Sequence, residues 1–198
     1  MKKKFIFLMA TGALIAASFL NACNNAEETT TSEKQPVVVS EAEIVKTGEH
    51  LVGIMGCNDC HSPKRMGANG PEIISELMLS GYPADRPLVK FDSKLLSEGY
   101  SMFYPDLTAA AGPWGVSFAT NLTPDDTGLG NWTEAQFKKA LTEGKFKGLD
   151  GSRMLLPPMP WTNYTRMTDD EVHAIYTYLK SVKPVSNMVP NPITPDKM

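Results

Sequence analysis

Two of the three cysteines and one of the three histidines of this chain lie within five consecutive residues, 57–61. The stretch reads GCNDCHSPK and contains Cys57, Cys60 and His61. Thiolate sulfur and imidazole nitrogen are metal ligands, and thiols also form disulfides and act as nucleophiles. Four chemical interpretations therefore compete: a zinc site, a redox dithiol, a structural disulfide and a covalent attachment site for haem.

The first three interpretations each lack something that they require. Zinc normally takes four ligands, usually including a second pair at a similar spacing, but the chain has no second cysteine pair, and His50 and His173 are isolated. A thioredoxin-like dithiol is expected between a strand and a helix, whereas this stretch follows a helical pattern and precedes loops. A disulfide across two residues has strained geometry and leaves His61 without a role.

The spacing Cys-x-x-Cys-His is the attachment signature of c-type haem. Two thiols on about one helical turn add to the two vinyl groups of one porphyrin, and the next histidine reaches the iron from the same side. The sequence therefore predicts one covalent haem c on Cys57 and Cys60, with His61 as an axial ligand.

The N-terminal residues predict export. Three lysines precede an apolar run over residues 5–20, as in a secretory signal, and the run is marginal as a membrane span. The stretch LNAC at 20–23 resembles a bacterial lipobox. We expect a lipoprotein signal peptide at 1–22 and a lipidated Cys23 that anchors the chain to a bacterial membrane, facing the periplasm or the exterior; the alternative is an ordinary signal peptide with a free cysteine. With Cys23 lipidated and two cysteines on haem, no thiol is left over.

Composition divides the remaining chain into a tether, one domain and a tail. Residues 23–40 are polar and threonine-rich, which predicts a flexible tether. Residues 41–187 suffice for one domain with a core, and 188–198 form a proline-rich tail. The full chain has 19 basic and 22 acidic side chains; without residues 1–23, which hold three lysines and no acids, the net charge is −6. This acidic balance argues against nucleic acid as a partner.

Three segments carry the capping-box pattern that starts a helix, at residues 40–43, 133–136 and 168–171. Apolar residues then recur at helical spacing. No alternating strand pattern is apparent, and long irregular stretches separate the helices. The predicted fold is all-α, with three or more helices and long loops wrapped around one covalent haem.

Met159 is the predicted second axial ligand. A thioether favours ferrous iron and suits a haem that only transfers electrons. Met159 lies in LLPPMPW, where three prolines fix the backbone around it. Met154 is the nearest alternative, whereas Met55 and Met66 are too close to the attachment site to reach the opposite side of the haem.

The chain resembles a bacterial class I c-type cytochrome domain, especially the cytochrome c subunits of membrane alcohol and sugar-acid dehydrogenases. Four stretches carry the resemblance: GCNDCHSPK, TNLTPDDTGLGNWTEAQFKKALTEG, LLPPMPWTNY and MTDDEVHAIYTYLKSVKPVSN. The resemblance implies that the first and last helices cross, with Gly48 allowing close approach to Ile175 and Tyr178. It implies His61 and Met159 as the axial pair, and a proline carbonyl, from Pro71 or alternatively Pro63, that accepts the Nδ1–H of His61.

The chain also departs from those subunits. Many of them carry two or three haem motifs, and this chain carries one. An insert over residues 88–121 is longer than a minimal domain needs, and we expect it to cover haem surface with Trp114 and Phe118. The candidate neighbours of the haem propionates are Trp132, Arg153, Trp161 and Tyr164.

The predicted function is electron transfer between a membrane dehydrogenase or respiratory complex and an acceptor such as an oxidase or another cytochrome, without catalysis by this chain. One alternative is a haem enzyme, a peroxidase or small-molecule reductase, in which the methionine is displaced. Another is a sensor or a non-catalytic scaffold subunit.

Overall fold

The computed structural model describes residues 39–88 and 90–198. The signal peptide, Cys23 and most of the tether predicted above lie outside these residues. Within the described part, five α-helices occur: α1 (Glu41–Ile54), α2 (Cys57–His61), α3 (Ser93–Ser97), α4 (Glu134–Glu143) and α5 (Asp169–Ser181). Five strands occur as well: β1 (Lys64–Gly67), β2 (Gly70–Ile73), β3 (Met102–Phe103), β4 (Ala109–Gly112) and β5 (Gly115–Phe118).

The all-α prediction is wrong, because the strands form two small antiparallel sheets. The first is the hairpin β1–β2, and the second has the order β3-β4-β5. Strand β4 reads AAAG and every one of its residues is buried, so it shows none of the apolar–polar alternation that marks a half-exposed strand. Strand β1 has its two central residues exposed, and its hairpin is held by backbone pairing that side-chain patterns do not show.

Helices α1 and α5 cross at Gly48, as the resemblance implies. A Cβ atom on Gly48 would lie 2.6 Å from the carbonyl carbon of Ala174 and 2.7 Å from the Cβ of Tyr178. Only a residue without a side chain permits this approach of two backbones. The main hydrophobic core forms around the crossing and is made of Val52, Leu79, Leu129, Phe137, Leu141, Val172, Ile175 and Leu179.

All three predicted capping boxes are present. Ser40, Thr133 and Thr168 are the N-caps of α1, α4 and α5, and each accepts a hydrogen bond from the backbone of the residue three positions later. The side chain of that later residue accepts in return from the backbone of the cap. Because each box satisfies backbone groups that a helix leaves without partners, it fixes where the helix starts.

A second, smaller core lies under the three-stranded sheet. It consists of Leu96, Ala111 and Val116. Ile193, from the proline-rich C-terminal segment, packs against it and exchanges two backbone hydrogen bonds with Val116, of 2.8 and 3.0 Å. The segment predicted as a tail therefore contacts the sheet built from the insert.

The helices of the described residues are too short or too polar for a membrane span. Over residues 39–88 and 90–198, none has both the length and the hydropathy that crossing a bilayer requires.

Candidate haem site

Helix α2 carries both thiols and the adjacent imidazole on five residues. Gly56, which precedes it, has a φ of 69°, a left-handed conformation that glycine adopts without strain. This residue turns the chain from α1 into α2. Cys57 packs against the main hydrophobic core, while Cys60 lines a cavity on the surface of the domain. Both are free, half-buried thiols.

The environment of the two thiols is unlike that of a redox dithiol. Burial, with a smaller contribution from the negative charge of Asp59, raises the pKa of Cys57 to about 11. Burial and Asp59 also raise the pKa of Cys60. Reactive cysteines in disulfide oxidoreductases have lowered pKa values, so the structure gives the dithiol interpretation no support.

A backbone carbonyl fixes the orientation of the His61 ring. The ring is buried, with 9% of its surface exposed, and its Nδ1 lies 2.8 Å from the carbonyl oxygen of Thr120. Because a carbonyl only accepts, Nδ1 carries the proton and Nε2 is left with a free lone pair. Burial also lowers the pKa of His61, which favours the neutral imidazole that ligates metals.

The expectation that Pro71 accepts this proton is corrected by the structure. Pro71 lies in β2, opposite Met66 in the first hairpin. The carbonyl of the alternative, Pro63, accepts the backbone N–H of Ile74 at 3.0 Å. The acceptor is Thr120, at the end of the insert, and sequence reasoning missed it because any residue type supplies a backbone carbonyl.

The cavity that Cys60 lines is also lined by Met159. Its other walls are mostly apolar and include Leu107, Ala110, Phe118 and Leu156. The structure thus brings Cys60 and the predicted methionine ligand to one mostly apolar cavity, a lining that suits the apolar face of a porphyrin. Two other methionines are placed differently: Met154 is 39% exposed and forms an isolated β-bridge with Lys145, and Met66 is 74% exposed.

Strand β5 connects the insert to the segment that carries Met159. The hydroxyl of Ser117 donates to the carbonyl of Pro157 at 2.6 Å, two residues before Met159. Two residues after β5, Thr120 accepts from His61. One short stretch of the insert therefore contacts His61 and also Pro157, two residues before Met159. Phe118, on the same strand, lines the cavity, and its contact with haem stays a prediction. Trp114 packs over Gly112 in the β4–β5 turn.

The candidate propionate neighbours have contacts within the chain. The Tyr164 hydroxyl donates to the carbonyl of Met55 at 3.4 Å. The Arg153 guanidinium lies 3.9 Å from the centre of the Phe146 ring. Trp161 packs against Gly144, and Trp132 packs against the main core. Their role beside a propionate stays a prediction.

Comparison with known proteins decides the family. The cytochrome c family profile matches residues 45–183. This chain belongs to the cytochrome c family. The match extends from α1 through the Cys-x-x-Cys-His helix and Met159 to the end of α5, and membership implies covalently bound haem c.

Curated relatives are named as cytochrome subunits of dehydrogenases. The chain is 40% identical over 105 residues to the fructose dehydrogenase cytochrome subunit of Gluconobacter japonicus, covering 52% of this chain and 19% of that protein. It is 37% identical over 145 residues to the gluconate 2-dehydrogenase cytochrome c subunit of Pantoea cypripedii, covering 72% and 24%. It is 41% identical over 76 residues to the alcohol dehydrogenase (quinone) cytochrome c subunit of Gluconobacter oxydans, covering 37% and 15%.

The chain therefore spans less than a quarter of the length of these relatives. The predicted resemblance to dehydrogenase cytochrome subunits is confirmed. The comparisons give no support to the alternative of a haem enzyme.

Proposed function

We propose that this chain transfers electrons through a single haem c, attached to Cys57 and Cys60 and ligated by His61 and Met159. The observation that carries the proposal is the meeting of Cys60 and Met159 at one apolar cavity, beside a buried His61 whose Nδ1 is already engaged. Six-coordinate iron with a histidine and a methionine is the arrangement typical of electron-transfer cytochromes.

The residues of the chain attach, orient and shield the group. Cys57 and Cys60 would hold the group through thioethers, each formed by adding one S–H across one vinyl double bond with no net oxidation. Thr120 fixes the plane and tautomer of the His61 ring, and the Ser117–Pro157 hydrogen bond holds the segment that presents Met159. The apolar walls of the cavity would cover part of the bound group. When bound, haem supplies the one-electron couple between ferric and ferrous iron.

The proposed partners are a dehydrogenase that donates electrons and a membrane oxidase or second cytochrome that accepts them. The names of the relatives support the donor, because all three are cytochrome subunits of dehydrogenases. Contact between redox partners is brief and takes place over a small interface. We propose no catalytic step on this chain.

We also propose that the protein is exported and held on a bacterial membrane by lipid at Cys23. The lysine-rich start, the apolar run and the LNAC stretch support this placement. Diffusion in the plane of the membrane would raise the frequency of encounters with membrane dehydrogenases. Metabolic labelling with a radioactive fatty acid, in the wild type and in Cys23→Ala, tests the anchor; label on both proteins or on neither refutes it.

Haem staining after denaturing electrophoresis tests covalent attachment. The full chain is produced in a host with a working cytochrome maturation system. The wild type is expected to keep its haem through denaturation, and the double variant Cys57→Ala/Cys60→Ala is expected to lose it. A wild-type band that does not stain overturns the proposed function.

The axial methionine is tested by Met159→Ala, with Met154→Ala as the matched control. Removing Met159 is expected to abolish the red charge-transfer band of methionine-ligated ferric haem, open the ferrous iron to carbon monoxide and lower the midpoint potential. Met154→Ala should leave all three unchanged. If the two variants behave alike, the assignment of Met159 is wrong.

A further inference from the structure

The C-terminal end of helix α2 is capped by a lysine side chain. A helix leaves its last carbonyls without intrahelical partners. The Nζ of Lys64 donates to the carbonyls of Asn58 and Asp59 in α2, at 3.2 and 2.6 Å, and to that of Ser62, the C-cap of α2, at 3.0 Å. A fourth carbonyl, that of Asp106 in the insert, lies 3.1 Å from the same nitrogen. One ammonium group therefore joins the attachment helix to the insert.

The charge of Lys64 is not cancelled by the acidic residue beside it. The carboxylate of Asp106 forms its ion pair with Arg86, at 2.8 Å, and accepts from the hydroxyl of Thr108 at 2.6 Å. Arg86 is in turn held beside the rings of Tyr82 and Tyr104, at 5.1 and 4.6 Å from their centres. In the described part of the chain Lys64 forms no ion pair with a carboxylate.

The position of Lys64 is fixed by secondary structure as well as by its own hydrogen bonds. Its backbone is the first residue of β1 and pairs with Ile73, and the residue is half-buried. A positive charge that is held close to a helix by its surroundings is screened less than one on a mobile surface side chain. The positive charge of Lys64 therefore stays close to α2 and to any group that is attached to it.

We propose that Lys64 is a positioning residue that caps the haem-attachment helix and raises the reduction potential of the haem. This inference rests on the proposed haem site. Ferric haem carries one more positive charge than ferrous haem, so a fixed cation nearby disfavours the ferric form. The carbonyl contacts keep the ammonium group of Lys64 beside α2, the helix that bears His61. The carboxylate of Asp106 pairs with Arg86 and not with this ammonium group.

The test compares charge removal with charge retention in the haem-loaded full chain. Lys64→Met removes the cation, Lys64→Arg retains it, and Lys94→Met removes an exposed lysine from α3 as the control. At a fixed ambient potential we expect Lys64→Met to raise the ratio of ferric to ferrous haem by roughly threefold or more, where a tenfold change corresponds to about 59 mV. Lys64→Arg and Lys94→Met should stay close to the wild type.

Two results would overturn the inference. The first is a midpoint potential of Lys64→Met equal to that of Lys94→Met. The second is a midpoint potential of Lys64→Arg as low as that of Lys64→Met, because packing and not charge would then be responsible. If Lys64→Met does not accumulate with haem, Lys64→Gln replaces it, with the same expected result. Haem staining of the wild type is scored first: an unstained wild type overturns the proposed function, whereas stained proteins with equal potentials overturn only the role of Lys64.

Discussion

Replacing Gly48 with alanine tests the crossing of α1 and α5, on which the core depends. The added methyl group would meet the carbonyl group of Ala174, with the carbon at 2.6 Å, and the Cβ of Tyr178 at 2.7 Å. Neither neighbour is the end of a flexible side chain, so the clash is not relieved by a change of rotamer. The two helices must move apart.

The expected loss of stability combines two opposing effects. Forcing an extra carbon into a packed contact costs about 1–3 kcal/mol, and contact with backbone atoms favours the upper end. Alanine is better than glycine inside a helix by about 1 kcal/mol. We therefore expect Gly48→Ala to lower the free energy of unfolding by about 2 kcal/mol, which lowers Tm by roughly 4–8 °C for a domain of this size.

Gly53 in the same helix provides the matched control. It is exposed, and a Cβ there would have nothing within 4 Å. Gly53→Ala is therefore expected to stabilise the fold by about 0.5–1 kcal/mol. Thermal unfolding of the haem-loaded proteins, followed by far-ultraviolet circular dichroism, measures both variants. Equal Tm values for Gly48→Ala and Gly53→Ala would refute the close approach of α1 and α5.

Three further substitutions test individual contacts. Ser117→Ala removes the hydrogen bond to Pro157, worth about 1 kcal/mol, so added imidazole should displace the methionine ligand at a concentration about fivefold lower. Thr168→Ala removes the N-cap of α5 and should lower the free energy of unfolding by about 1 kcal/mol, measured by denaturant unfolding. Burial alone would raise the pKa of Asp106, but hydrogen bonds from Arg86 and a neighbouring threonine outweigh burial and lower it. The carboxylate therefore stabilises the fold at neutral pH, and this contribution is lost as the pH falls through its lowered pKa; the difference in Tm between the wild type and Asp106→Asn should shrink in acid.

Each of these substitutions has a control that changes the same chemical group elsewhere. Ser181→Ala removes a hydroxyl that also donates to a backbone carbonyl, at 2.7 Å, and should leave imidazole binding unchanged. Thr177→Ala, inside α5, removes a threonine that caps no helix, and Asp85→Asn changes an exposed carboxylate. If a control variant has as large an effect as the variant it is matched with, the contact removed by that variant is not the cause of the effect.

The sequence was sufficient to predict the features that depend on local chemistry. Capping boxes place a hydroxyl and a carboxylate or amide at fixed spacing, and all three mark real helix starts. The Cys-x-x-Cys-His spacing predicts a helical turn, and residues 57–61 form one. The close approach at Gly48 followed from the family resemblance. The structure confirms it for Tyr178, whereas the other neighbour is Ala174 and not the expected Ile175.

The sheets could not be predicted in the same way, because their strands are short and pair through the backbone. In β4 both faces are covered, so three alanines in a row carry no periodicity. The hairpin β1–β2 has two residues between its strands, followed by Gly70 with a φ of 120°. The glycine is visible in the sequence, but the polar residues of β1 show no strand pattern.

The hydrogen-bond partners of the site residues could not be predicted from the sequence either. Thr120 is 59 residues from His61 and contributes only its carbonyl oxygen. Lys64 reads as a surface lysine, and its four acceptors are backbone carbonyls from two parts of the chain. Contacts of this kind depend on the tertiary path of the backbone, which residue types alone do not specify.

Strand β5 has a consequence for the speed of electron exchange. Ser117 in this strand donates a hydrogen bond to Pro157 in the segment that carries Met159. Thr120, two residues after the strand, accepts one from the imidazole of His61. In the proposed haem site, two ligands held through one hydrogen-bonded stretch would change their distances to the iron little between its two oxidation states. The reorganisation energy of each electron transfer would then be small, which suits brief contacts with redox partners.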